Sequence, residues 1–182
     1  MINAIIPECF VDTCLINILL EIRNDSVNHG KGNSSVANKM KTTFGDKFAV
    51  GIIDGDKREI EYIKEFELTN QILKGKILLY NHPIKHHYFI QLCPESEDLI
   101  CNVSRELGID MEKEYELPNT AKGLSKLSKN INVKDDIRFV KLFKEIRRRS
   151  IEIHYEPIIK LIFWLTQLVK NNYNIDLNEL KN

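Results

Sequence analysis

The stretch that most constrains this chain is Lys47-Phe48-Ala49-Val50-Gly51-Ile52-Ile53, almost wholly apolar and stopped by Asp54-Gly55-Asp56-Lys57. A strand with one face in water alternates apolar and polar residues, whereas a strand covered on both faces has no reason to. Residues 47–53 therefore predict a central strand of a parallel sheet with helices on either side, which puts the chain in the α/β class.

The remaining pattern agrees with such a sandwich. Residues 2–7 read as a short strand. Residues 9–23 change to helical spacing, with Phe10, Cys14, Leu15, Ile18, Leu19 and Ile22 on one broad face. A polar stretch from Asn24 to Ser35 follows, a strand or a loop, and Asn33, Ser34 and Ser35 can cap a helix over 35–44 that Gly45 ends. A short helix is expected over 58–66, strands over 76–80 and 87–92, and a helix over 95–107 opened by Pro94. Residues 109–132 are polar, with Pro118 and Gly123, and read as a linker or irregular excursion. From Val133 helical spacing returns, with Ile137, Val140, Phe143 or Lys144, and Ile146. Pro157 sits in a first helical turn, and residues 158–169 are apolar nearly all round, including the single Trp164, which predicts a buried helix. The expected organisation is an α/β domain over 1–108, a linker over 109–132 and a helical element over 133–182.

Charge and cysteine content narrow the function classes. Lys plus Arg and Asp plus Glu are 26 each, so the net charge is zero. That argues against a nucleic-acid binder held by bulk positive charge, but leaves room for a local basic face or a metal-bridged phosphate site. Cys9, Cys14, Cys93 and Cys101 form no C-x-x-C pair and read as free thiols of a reducing compartment. The apolar start lacks a basic residue and is interrupted by Glu8 and Asp12, and Leu161–Val169 is far shorter than a membrane span. A soluble, cytoplasmic protein without membrane association is expected.

The chemistry lies in acids at strand ends. Glu8 follows the first strand, and Asp54 and Asp56 follow the central one. In a parallel sheet these ends open on one crevice, where ligands bind. Carboxylates gathered there repel one another, and a hard divalent ion, Mg²⁺ or Mn²⁺, relieves the repulsion. Glu97 adds a candidate ligand if its strand adjoins that of Asp54. Lys31, between Gly30 and Gly32, lies in a turn able to cradle an anion. Lys85 and His86, within His82-Pro83-Ile84-Lys85-His86-His87, form a candidate phosphate-facing rim. Lys141, Lys144 and Arg148 share a helix face, making Lys144 and Arg148 candidate nucleic-acid contacts.

Three motifs occur in order over residues 1–105: Glu8-Cys9-Phe10-Val11-Asp12 after the first strand, His29-Gly30-Lys31-Gly32-Asn33 before a helix, and Asp54-Gly55-Asp56 after what the pattern counts as the third strand. Together they resemble the Toprim domain, the catalytic fold of topoisomerases, primases and overcoming-lysogenization-defect nucleases. The family's E-G-x-x-D keeps its acid spacing here, with Cys9 in place of the glycine. The resemblance implies a Toprim-like, mostly parallel sheet flanked by helices. Glu8 would be a metal ligand or general acid/base, Asp54 and Asp56 would hold Mg²⁺ or Mn²⁺, Asp12 would support the site or a second ion, and Lys57 would meet a phosphate. The implied activity is a metal-dependent nuclease acting on DNA or RNA, of the kind that serves as an anti-phage effector under a partner ATPase. The sequence carries no Walker-type phosphate loop of its own. The alternative is a non-catalytic Toprim-like module whose helical third docks a partner or a second copy of the chain. A phosphoryl-transfer enzyme would also pair aspartates after a strand, but the sequence carries no nucleotide-pocket signal.

Overall fold

The computed structural model describes residues 4–22, 27–55 and 60–181. Asp56 and Lys57, and the first residues of the strand expected over 2–7, lie outside them. Among the described residues five strands form one sheet: β1 (Ile5–Pro7), β2 (Ala49–Asp54), β3 (Glu67–Ile72), β4 (Ile77–Asn81) and β5 (His87–Leu92). Their order is β1-β2-β5-β4-β3, with β1, β2 and β5 parallel and β5, β4 and β3 an antiparallel meander. The α/β class stands, but the sheet is mixed where a mostly parallel one was expected.

The difference arises at β3. Its sequence, Glu-Leu-Thr-Asn-Gln-Ile, is too polar to signal a strand, because β3 is an exposed edge. The turn into β4 passes through Leu73, Lys74 and Gly75, all at positive φ, and so short a connection can only make an antiparallel pair. The helix expected over 58–66 is a 3-10 turn, Glu61–Glu65.

The reading of β2 as doubly covered holds. Val50 and Ile52 face the larger core, built with α1 (Phe10–Leu19), α3 (Ser96–Glu106), α6 (Ile137–Glu152) and α7 (Glu156–Asn171). Ala49 and Ile53 face a smaller core with α2 (Asn33–Lys39), its continuing π-helical turn Met40–Phe44, and the 3-10 turn. Successive strand residues point to opposite faces, so one apolar run serves both cores.

The stretch expected as a linker over 109–132 is built of α4 (Met111–Tyr115) and α5 (Ala121–Ser128). Asp110 and Thr120 cap them through their side chains, and Met111, Leu117 and Leu124 enter the larger core. Few apolar residues per turn suffice once both caps are in place. Helix α7 is buried on one face only: Ile158, Leu161, Trp164, Leu165 and Leu168 are inside, whereas Phe163 is 37% exposed. The structure thus corrects the all-round burial expected there. α7 packs against α6 and against α8 (Leu177–Lys181), where Trp164 Nε1 donates to the Leu180 carbonyl at 3.2 Å. Among the described residues no helix is long and apolar enough to cross a membrane.

The outer edge of β1 is covered by the turn that follows α1. Asn28 N and Gly30 N donate to the carbonyls of Ile5 and Pro7 at 2.9 and 2.7 Å. Pro7 has no N–H to offer in return, which this edge position tolerates. Gly30 is there because a Cβ would lie 2.6 Å from Val36 Cγ2 and 3.0 Å from the Pro7 carbonyl oxygen.

His87 anchors the smaller core. Its Nε2 lies 3.0 Å from the Lys47 carbonyl, which can only accept, so Nε2 carries the proton and Nδ1 accepts from the Tyr62 hydroxyl at 2.6 Å. Burial pushes the imidazole down from 6.5 to about 4. The unfolded chain therefore takes up a proton at higher pH than the folded one. Stability from neutral His87 is complete above about 6.5 and is lost as pH falls toward 4. Urea unfolding followed by Trp164 fluorescence should show this loss, and His87→Gln should flatten the dependence over that window while lowering stability at pH 7.

Candidate functional site

The parallel strands β1, β2 and β5 end side by side, and the chain leaves them in different directions. After β1 it enters α1 on the larger-core face, and after β2 it reaches the 3-10 turn on the opposite face. A crevice forms at such a switch point. Glu8 directly follows β1, Asp54 ends β2, and Glu95 and Glu97 follow β5.

Asp54 is held by its backbone as much as by its side chain. The β1–β2 pairing stops at Pro7 opposite Ile52, leaving Asp54 beyond the last ladder bond. Two side chains take over. Asp54 N donates to Glu8 Oε2 at 2.9 Å and to Asn33 Oδ1 at 3.2 Å, and Asn33 Nδ2 donates to the Asp54 carbonyl at 3.0 Å. Gly55 then turns tightly, its N–H shared between the carbonyls of Leu92 and Pro94 at 2.7 and 2.9 Å. A Cβ at Gly55 would collide with Cys93 Sγ.

The Asp54 carboxylate rests on the start of α3, where a helix N-terminus favours negative charge. Its Oδ1 accepts from Ser96 N at 3.1 Å and lies 3.1 Å from Ser96 Oγ. The same hydroxyl also bonds Asp12 Oδ1. Asp12 meanwhile closes a capping box at the start of α1, accepting from Cys9 N at 3.3 Å. One hydroxyl has one proton and cannot donate to two carboxylates. Burial, and then the charge of Asp54, push Asp12 up to about 8. Asp12 accordingly keeps its proton at neutral pH and donates to Ser96, and Ser96 donates to Asp54. Cys9 is likewise raised, by burial and then by Asp12, which disfavours the thiolate that a nucleophile needs.

A cavity of about 440 Å³ opens over this arrangement. Glu8, Asp54, Glu95 and Glu97 supply its acidic wall, Lys31 and Lys129 its basic side, and Phe10 and His29 an aromatic side. Ser125 and Ser128 reach it from α5, and Ser128 Oγ donates to Glu97 Oε1. The His29 ring stacks on Phe10, centroids 4.0 Å apart and planes 14° off parallel. Thr13 Oγ1 gives its hydrogen to the Cys9 carbonyl at 2.9 Å, so His29 Nδ1, 3.3 Å away, is the donor to Thr13. Burial, with Lys39 second, lowers the His29 pKa and so disfavours the charged ring.

Of the residues singled out from sequence, Glu8, Asp54, Glu97 and Lys31 come together at this cavity. Asp12 lies behind Ser96 as a capping and supporting group. Asp56 and Lys57 fall outside the described residues. Lys85 and His86 are not part of the cluster. They precede β5 at the end where Ala49 pairs with His87, the opposite end of the sheet from Asp54. There Lys85 Nζ lies 6.0 Å from the Tyr62 ring centroid and His86 meets the edge of Tyr173. Lys144 and Arg148 line a different groove of about 850 Å³ between α1 and α6. Although that groove is larger, Arg148 is occupied by Glu145 and Glu152, and Arg147 by Glu21. The chemistry is concentrated in the smaller cavity.

The oxygen donors Glu8, Asp54 and Glu97 match Mg²⁺ or Mn²⁺ in kind. Among the described residues, no group of three or more His, Cys, Asp or Glu side chains is gathered closely enough to hold a metal ion. Sequence reasoning passed over Ser125, Ser128 and Lys129, quoted His29 only within the glycine- and lysine-containing turn, and gave Asn33 no role beyond that turn and a helix cap. Comparison with protein-family models, curated proteins and solved structures finds no match for this chain.

Ser96 and Ser104 make a matched pair for testing the hydroxyl bridge. Both are buried in α3, but among the described residues Ser104 Oγ has no hydrogen-bond partner. Ser96→Ala should cost about 1–3 kcal/mol in denaturant unfolding, because two buried carboxyls lose their shared partner. Ser104→Ala should be neutral or stabilising in the same measurement.

Proposed function

We propose that this chain is a Toprim-like, Mg²⁺- or Mn²⁺-dependent nuclease. The observation that carries the reading is the meeting of Glu8 and Asp54 at adjacent parallel strand ends, joined by a 2.9 Å hydrogen bond, on a cavity that Lys31 and Lys129 also line. The order of the acids along the chain fits the Toprim resemblance, although Asp54 ends the second strand among the described residues rather than a third. The turn 27–32, hydrogen-bonded along the outer edge of β1, stands where that expected strand was placed.

In this reading Glu8, Asp54 and Asp56 would hold the ion, with Glu97 beside them. A bound ion polarises a phosphoryl oxygen and lowers the pKa of a water. The chain's own contributions are positional. Asn33 and Ser96 fix Asp54, Ser128 fixes Glu97, and Lys31 and Lys129, with Lys57, meet the phosphate. Asp12 supports Asp54 through Ser96 instead of holding a second ion. A partner ATPase is the proposed source of control, since the sequence has no Walker-type motif.

The test is cleavage of single- and double-stranded DNA and RNA with Mg²⁺, Mn²⁺ or EDTA. Activity should require the metal and fall on the order of 100-fold or more in Glu8→Gln and Asp54→Asn. Mn²⁺ should raise the melting temperature of the wild type and not of Asp54→Asn. Absence of both effects would exclude the metal-dependent reading and leave the interaction-module alternative.

A further inference from the structure

We propose that the strand-end cavity takes a single nucleotide unit, its phosphate toward Lys31 and Lys129 and its base against the Phe10–His29 pair, so that the chain acts on unpaired strand ends. The inference rests on the nuclease reading and names the form of substrate which that site admits.

Size is the first argument. A cavity of about 440 Å³ falls in the range of small-ligand sites and holds one nucleotide, not a stretch of duplex. The wall that limits it is also anchored. Leu124 of α5 is fully buried in the larger core, and Ser128, four residues on, donates to Glu97. Only a nucleotide free of its stack can enter such a site, and an unpaired end offers one at the lowest unstacking cost.

Chemistry is the second argument. The stacked Phe10 and His29 rings give the cavity a flat aromatic pair, the surface on which bases stack without sequence preference. Lys31 and Lys129 come from separate elements, the turn before α2 and the end of α5, and bring positive charge to the same space as the acids. The phosphate of the nucleotide would lie between the lysines and the acidic wall. On α6, Arg147 and Arg148 are ion-paired with Glu21, Glu145 and Glu152, which leaves Lys141 and Lys144 to meet a duplex backbone there.

Calorimetric titration of the wild-type chain with AMP, ribose 5-phosphate and inorganic phosphate, each with and without Mn²⁺, tests the site directly. AMP should bind about tenfold tighter than ribose 5-phosphate, the difference being the stacked base. His29→Ala should abolish that difference and His29→Phe should restore it, while the exposed Lys129→Ala should weaken both sugar phosphates alike. A second arm compares linear with covalently closed single-stranded DNA, and the circle should be spared. Equal binding of AMP and ribose 5-phosphate, an unchanged Lys129→Ala, or a circle cut as fast as the linear strand would each overturn the proposal. Mn²⁺-dependent cutting of the circle would overturn it while upholding the nuclease reading. The expected AMP binding in the absence of any Mn²⁺ effect would do the reverse, keeping the nucleotide site and removing the metal.

Discussion

The position of Asp54 is over-determined, and the rest of the site follows from it. Its strand outlasts β1, so its backbone N–H and C=O stand beyond the last ladder bond at a buried place. Unpaired there, each would cost about 1–3 kcal/mol. Glu8 and Asn33 supply the missing partners from two different segments, so the end of β1, the start of α2 and the end of β2 become one rigid junction. Gly55 then passes under Cys93 where no side chain fits, which ties the same junction to the end of β5. A carboxylate placed by its own main chain in this way cannot drift when charge changes around it.

That rigidity has an electrostatic consequence. Glu8, Asp12, Asp54 and Glu97 are all buried within the same region, an arrangement that full ionisation would make unfavourable. Part of the strain is relieved inside the protein: Asp12 keeps its proton, and Ser96 passes the hydrogen bond on to Asp54. The N-terminus of α3 takes a further share through Ser96 N. Ser128 hydrogen-bonds Glu97 from α5. The acids are thus divided into one that is neutral and buried behind Ser96, and others that line the cavity. Only the second group can answer a ligand's charge.

How much of this could be read in advance depends on whether the signal was local. The doubly covered β2 was legible because both cores act on the same seven residues, and the acids at the strand ends were legible because strand termination places them. β3 was not, since an exposed edge strand needs no apolar face. The segment 109–132 was misjudged for a related reason. Its caps, Asp110 and Thr120, are the signal, and α5 brings only three apolar residues in eight, Ala121, Leu124 and Leu127, of which Leu124 alone is fully buried. Lys85 and His86 looked functional because histidines and lysine cluster in sequence, but strand direction sends that turn to the far end of the sheet. The pairing of Asn33 with Asp54 spans 21 residues and appears only when α2 is packed beside β2.

The same distinction reconciles a neutral chain with the proposed nucleic-acid substrate. An enzyme that slides on duplex needs a wide basic face, because its affinity comes from many phosphates at once. This chain matches its 26 basic residues with 26 acidic ones. On α6, Arg147 and Arg148 are balanced by Glu21, Glu145 and Glu152, so of the basic stripe Arg148 contributes structure, while Lys141 and Lys144 stay exposed. The cations that remain with a chemical task are those at the cavity, where the acidic wall nearby makes an isolated phosphate unwelcome unless a positive charge lies between them. A site that repels the bare anion but accepts it together with a cation and a stacking base selects by combination. It needs no net charge on the protein, because each part of the ligand is met by a different wall of the same crevice.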